Sequence, residues 1–493
     1  MHARLLPLLL LGITFLGGSL RAQDGTLDST FGSGGIYTST DTYGAVKIDR
    51  DGSLFVGGYF STFASDFSLT KLKPEGIPDS TFGTHGRAVT RVPQSHWNVA
   101  RDLAILPDGK ILFAGDGDAM GVVMKFEADG SLDTTFGDTG FVINRNMSLL
   151  NAMVVHYDDK ILVGGQSFIV ASTYFTLAQY NLDGTPDLSF GNGGVVNTDL
   201  SSARGQAGND NLKALALQAD GKILACGQKA GDSLALVRYL RNGDVDSTFG
   251  INGVADIEQE GIFNSVTVQY DGKIIAAGRS GANDIIVVRF DPSGSLDTDF
   301  GQAGVVETSL TLDRDEAHEV AVQSDKKIVV CGRVQMNLEY HLALIRYDIY
   351  GQVDSTFGTN GITITDLTPM GMGAEYSMIL QPERRIVVSA NGKVARYRNS
   401  LVSWISYPAS LEPVTIYPNP TSRWLNVVLT EDLSDQVTLD LYNQNGALVR
   451  PMENGFWSAK GSYSFAIDDL PSGMYTLKLT QNGEQRYFKV VKR

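Results

Sequence analysis

Six histidines, two cysteines and one GDSLA segment are the residues of this 493-residue chain whose types suit metal binding or nucleophilic catalysis. The histidines stand at positions 2, 85, 96, 156, 318 and 341, and no two have the spacing of metal ligands. Ser233 of GDSLA departs from the GxSxG elbow and opens a repeat strand instead of a strand-to-helix turn, so it is not read as a nucleophile. Cys226 and Cys331 hold the same repeat position, filled elsewhere by Gly57, Ala114, Gly164, Ala277 and Ser389. Equivalent atoms two units apart exceed the Cα separation of about 7 Å that a disulfide tolerates, which predicts two free, packed thiols.

The charged residues are more orderly. Lys71, Lys125, Arg238, Arg289 and Arg346 each precede an aspartate by eight residues; Gln179 takes the same place in one copy, and Arg396 is a further copy. Such a ring of cations can line a channel and hold an anion, or it can form internal ion pairs across one turn; the fixed offset favours the pairs. The segment DPSGSLDTDFG comes nearest to a calcium loop, but it lacks a full oxygen-rich ligand set, and no cofactor is expected.

The elements that carry these residues recur. A DxxFG element places phenylalanines at Phe31, Phe82, Phe136, Phe190, Phe249, Phe300 and Phe357, with spacings of 51, 54, 54, 59, 51 and 57 residues. A period of about 54 residues signals an array of units that cannot bury their faces alone. The aspartate of each copy suits an Asx turn, and the closing glycine of FGxxG suits positive φ or close backbone approach. Upstream lies a hairpin signal, as in LAILPDGKILFAG and LALQADGKILACG, followed by a strand such as LALVRY. Each unit therefore holds four strands: two around the hairpin turn, the VRY strand, and one after FGxxG.

Seven such units predict an all-β chain with a seven-bladed β-propeller. The last copy, Tyr376 to Asn399, lacks its fourth strand, whereas the region from Asp24 begins with one. Pairing residues 24 to 40 with the last unit closes the ring and leaves no inner edge unpaired; an open superhelix would need caps. Over residues 24–399, DxxFGxxG and QxDGKIxxxG resemble the delta-60 repeat family, which implies a repeat domain of exported bacterial proteins and no reaction.

After a Pro-containing linker at 400–413, residues 414–493 alternate short β segments with turns and predict a small Ig-like β-sandwich. IYPNPTSRWLNV with Tyr417, Pro418, Asn419 and Pro420, LPSGMYTLKL with Gly473 and Tyr475, and the basic end Lys492 and Arg493 resemble the type A sorting domain of the type IX secretion system of Bacteroidota. That resemblance implies a cargo handed to the type IX machinery, carried across the outer membrane, then released or attached to the cell surface. At the other end, Arg4, the apolar run Leu5 to Leu16 and the small residues up to Ala22 predict a signal peptide over 1–22.

A formal charge of −15 opposes encounters with nucleic acid and anionic membranes. No second apolar run reaches membrane-spanning length, and ILFAG, IVVCG and IIVVRF are apolar on both faces, as buried strands are. A monomer is expected. Between the hairpin lysine or its equivalent and the VRY cation the gaps vary as 18, 15, 19, 16, 16, 19 and 11. Alternate connections of an up-and-down sheet share one side, so the variable loops gather at one end, where binding on a rigid scaffold resides. That end is predicted to present Tyr59, Phe60, Phe63, His96, Trp97, Phe168, Tyr174 and Phe175, with Asp199, Asp210, Glu258, Glu260, Asp313, Asp315 and Glu316 from later units. Exposed aromatics beside acids suit a glycan or protein ligand. The reading is a non-enzymatic binding protein. The alternatives are a propeller lyase or hydrolase acting on glycans, which needs paired carboxylates or a His–Tyr pair in a cleft, and a structural adhesin without a defined ligand.

Overall fold

Short apolar runs, several buried along their whole length as in Ile111–Gly117 and Ile285–Phe290, are broken by Gly and Asp turns and form the strands of the described residues. The computed structural model describes residues 23–399 apart from 50, 62–64, 94, 107, 157–158, 170–171, 201–208, 219, 256, 270, 324, 368–375 and 382–384, and then the strands between 414 and 492 with the residues next to them. The segments read as signal peptide and linker lie outside the described residues, as do Phe63, Pro418, Asn419, Pro420 and Arg493.

Residues 36–398 form seven antiparallel sheets, and the first strand of each is an inner strand: Thr42–Ile48, Asn98–Ile105, Leu149–Val155, Asn211–Leu217, Gly261–Val268, Asp315–Val322 and Tyr376–Gln381. Each inner strand contacts the next, and the last contacts the first, so the sheets close a ring. Closure is made by Ile36–Thr38, which pairs with Lys393–Arg398 as the outer strand of the seventh sheet, Ile36 opposite Ala395 and Thr38 opposite Lys393. This is the pairing that the two incomplete ends of the repeat predict. The fourth sheet has three described strands, and a bridge between Val237 and Val254 stands where the fourth would run.

Apolar cores lie between adjacent sheets. Phe55 and Phe67 of the first sheet pack with Phe113 and Phe126 of the second, with Phe67 and Phe113 edge to face at 5.3 Å. Full burial of each such ring contributes roughly 1.5–3 kcal/mol.

The recurring DxxFG element links neighbouring sheets. In the fifth copy Asp246 Oδ1 accepts hydrogen bonds from the Thr248 amide and hydroxyl, forming the Asx turn. Its other oxygen meets Arg238 Nε at 2.8 Å and Lys222 Nζ at 3.0 Å, and the Arg238 guanidinium lies 4.4 Å over the Phe249 ring. Phe249 then fills the space where a Cβ on Gly294 of the next sheet would stand, and Gly250 N donates to Ser293 O. Gly250 itself has φ +50, and a Cβ there would collide with Val254 O, so glycine is required.

The same pairing recurs around the ring: Lys71 with Asp79 at 3.8 Å, Lys125 with Asp133 at 3.7 Å, Arg289 with Asp297 at 2.6 Å, Arg346 with Asp354 at 2.7 Å. Arg396 joins Asp28 of the closing segment at 3.0 Å. In the third sheet Gln179 brings no charge, and Lys160 holds Asp187 at 3.1 Å. The cation ring is thus a set of internal ion pairs. Cys226 and Cys331 are free and buried, and burial pushes both thiols up.

The residues after 413 build two further sheets. Val414–Tyr417, Trp424–Leu429 and Gly461–Ala466 form one; Leu448–Pro451, Val437–Asn443, Gly473–Gln481 and Glu484–Lys492 form the other. Leu425, Val427, Leu441, Leu477 and Val490 share their core.

Candidate functional site

Every inner strand begins at the end of the ring where the variable loops emerge, opposite the DxxFG turns. There the sequence-predicted aromatics separate into two groups. Trp97 and Phe168 are 66% and 67% exposed. Tyr59 and Tyr174 are half-buried, and Phe60 is half-buried beneath the Arg87 guanidinium, 4.6 Å from its ring centre, with Arg87 Nε 2.7 Å from Asp41. Phe175 belongs to the core: it is fully buried with Leu177, Phe190 and Leu212, so the expectation that it faces a ligand is corrected. The reason is strand alternation, which turns one of two adjacent aromatics inward.

The backbone under Trp97 is held at several points. Asp118 accepts from the amides of His96 at 2.8 Å and Trp97 at 3.1 Å, and its own amide donates to Trp97 O at 3.0 Å. The His96 amide bond is the main cause that holds the Asp118 carboxyl below its ordinary range. The next amide, of Asn98, donates to Ser65 Oγ at 2.6 Å. An indole on so constrained a backbone loses little freedom when a partner covers it. Around the third sheet, Phe168 and Ile169 join Arg145, Asn146, Ser148 and Asn197 in lining an open cleft of about 470 Å³.

Two of the predicted acids are structural. Asp210 is buried and accepts from the amides of Leu200 and Ala230, with burial raising its carboxyl. Asp315 is buried and accepts from Leu310 N, Thr311 N and Thr311 Oγ1. Asp199, Glu258, Glu260 and Asp313 are exposed.

Glu316 is the centre of a cluster that sequence reasoning did not assemble. Its Oε2 accepts from Arg314 Nη2 at 2.9 Å and Arg333 Nη2 at 2.8 Å, and its Oε1 accepts from Asn264 Nδ2 at 3.1 Å. Burial works against ionisation, but His318, Arg333 and Arg314 together hold the carboxyl down to about 2. His318 stacks on Tyr376 with ring centres 4.4 Å apart, and the Arg333 guanidinium lies 4.8 Å over Tyr340. Burial pushes the Tyr376 phenol up, so it stays protonated and can donate a hydrogen bond. Two repeat positions supply much of this cluster. One follows the glycine of each second strand and reads Tyr59, Asp116, Gln166, Gln228, Arg279 and Arg333; the other is the bulge residue of the inner strand, including Arg101, Asn264 and His318. Variation at one point of an otherwise constant repeat was the signal available.

In the carboxy-terminal sheets Tyr475 and Lys492 are buried, Gly473 is exposed, and Tyr417 ends the strand Val414–Tyr417.

Two family models match separate parts of the chain. No curated protein matches it in sequence. Among solved structures it is similar to Sqt1 from Chaetomium thermophilum, at 12% identity over 73% of this chain and 97% of that one, TM-score 0.42. It is also similar to the PQQ-bound aldose sugar dehydrogenase from Streptomyces coelicolor, at 11% identity over 74% and 98%, TM-score 0.38. A third similarity is to the extracellular domains 1-2 of Drosophila Semaphorin 1a, at 9% identity over 88% and 97%, TM-score 0.41. Five segments, 50–82, 106–136, 158–190, 218–249 and 269–300, match the Domain of unknown function (DUF5122) beta-propeller, and residues 415–493 match the secretion system C-terminal sorting domain. The chain therefore carries DUF5122 β-propeller repeats and, over residues 415–493, a secretion system C-terminal sorting domain, which indicates export through the type IX system to the cell surface or the extracellular space.

Proposed function

We propose that the exported chain is a binding protein without catalytic activity, that its loop end meets a glycan or protein ligand, and that the carboxy-terminal domain is its address. A signal peptide over 1–22 takes it across the inner membrane, and the propeller works as a monomer without a cofactor. The observation that carries this reading is Trp97: its backbone is fixed by Asp118 while its ring is 66% exposed. Rigid, exposed aromatics at the centre of a polar rim are what binding hot spots are made of. Apart from Glu316, the acids at the same end serve loops or face solvent, as a binding surface allows.

The test is binding of the purified chain to a glycan and host-protein array, beside a variant carrying Trp97→Ala and Tyr174→Ala. A ligand bound by the native chain and weakened at least tenfold in the variant is expected, with an unchanged melting temperature. Equal binding by both forms, or none by either, would remove the aromatic surface as the site.

A further inference from the structure

At the loop end of the fifth and sixth sheets two arginines meet one carboxylate, and a third stands at the equivalent repeat position next to them. Arg333 is 6% exposed and donates to Glu316; Arg314 comes from the loop before the inner strand and donates to the same oxygen. Arg279 holds the position of the fifth sheet that Arg333 holds in the sixth; its Nη1 donates to Asn283 Oδ1 at 2.8 Å, and its Nε has no hydrogen-bond partner among the described residues. Burial, then the charges of Arg314 and Arg333, act against protonation of Arg279. Beside them the Tyr376 hydroxyl, on a side chain 6% exposed, also has no partner among the described residues.

The fold does not demand this arrangement. Other sheets put Tyr59, Asp116, Gln166 and Gln228 at the position of Arg279 and Arg333, and in the second sheet Asp116 is matched by Arg101 at 3.0 Å. At the DxxFG end the arginines have protein acceptors: Arg238 and Arg289 give Nε to their aspartates and Nη1 to Pro292 O and Ile349 O. A buried donor left without an acceptor costs stability, so donors of one polarity gathered at a ligand-facing end point to an acceptor that arrives from outside.

We propose that Arg279, Arg314, Arg333 and Tyr376 form an oxyanion site that takes the carboxylate of a uronic acid in an acidic glycan. This rests on the reading of the loop end as a ligand surface and names the ligand class. Guanidinium forks match a planar carboxylate, and the phenol adds a fourth donor. Glu316 Oε1, with one bond from Asn264, has capacity to accept a sugar hydroxyl. A hydroxylated carboxylate satisfies both polarities; an acidic peptide side chain satisfies one. Arg314, with 39% of its side chain exposed against 7% for Arg333, is the one of that pair placed to turn from Glu316 to the incoming anion.

The experiment is calorimetric titration of the full chain with trigalacturonic acid, uncharged galactotriose, inorganic sulfate and an oligoglutamate peptide, repeated with Tyr376→Phe and Arg279→Gln. Trigalacturonic acid is expected to bind in preference to the other three, with each substitution weakening it about tenfold. Because the Tyr376 hydroxyl has no partner among the described residues, Tyr376→Phe should leave the melting temperature level or raise it, which a structural role would not. No binding of trigalacturonic acid, affinity unmoved by both substitutions, or preference for the peptide or sulfate would overturn the proposal. A Trp97-dependent ligand on the array would then leave the wider binding function standing, and its absence would remove both.

Discussion

Asp246 is a carboxylate 3% exposed that receives Arg238, Lys222 and the Thr248 hydroxyl. Taking its charge away leaves Arg238, itself 6% exposed, without its anion in a poorly solvated place. Breaking a buried pair from one side costs about 3 kcal/mol or more. Asp246→Asn is therefore expected to lower the stability of the ring by about that much in urea unfolding, with the loop end intact; a change within about 0.5 kcal/mol would show that Lys222 and Arg238 find other acceptors.

At the scale of the element, this turn is repeated, and so is its response to acid. All seven DxxFG aspartates are held below the ordinary carboxylate range. For Asp133 the Thr135 hydroxyl is the largest cause and Lys110 adds to it, bringing the carboxyl to about 2; for Asp28 burial pulls upward, and Thr30, Arg385 and Arg396 overcome it, also to about 2. A folded-state value below the unfolded one of about 3.9 gives stability that is present above pH 4 and lost as pH falls through the folded value. The melting temperature should thus be level from pH 7 to 5 as far as these turns are concerned and fall steeply from about pH 4 to about 2; a melt unchanged between pH 5 and 3 would contradict it. The turn, its cation eight residues earlier and the strand count were legible because all recur in register along the chain. Phe175 was misread because Tyr174 and Phe175 are equally aromatic and only pairing register decides which faces the core, here Phe175. The Glu316 cluster was not legible because its members come from three sheets, Arg279 at one place in the chain and Tyr376 nearly a hundred residues on.

For the whole molecule, stability depends on closure. Ile36–Thr38 covers the edge of the seventh sheet, and Asp28 receives Arg385 and Arg396 from that sheet while Gly25 N donates to Arg398 O. Deleting residues 24–40 removes a strand, a shared carboxylate and the Phe31 ring under Arg396 at once. The shortened chain is expected to unfold at a markedly lower temperature and to self-associate in light scattering, since its free edge is a template for another strand. A monomer with native stability would mean that the ring holds without its latch.

That latch also sets an order of events. Asp28 and Arg396 are 368 positions apart, so their meeting must wait for the last unit of the ring to emerge from whatever delivers the chain, and contacts of such long range form slowly. A ring sealed by its first strand and its last stays unfinished until the whole array is free to fold, and only then is the exported chain a rigid passenger.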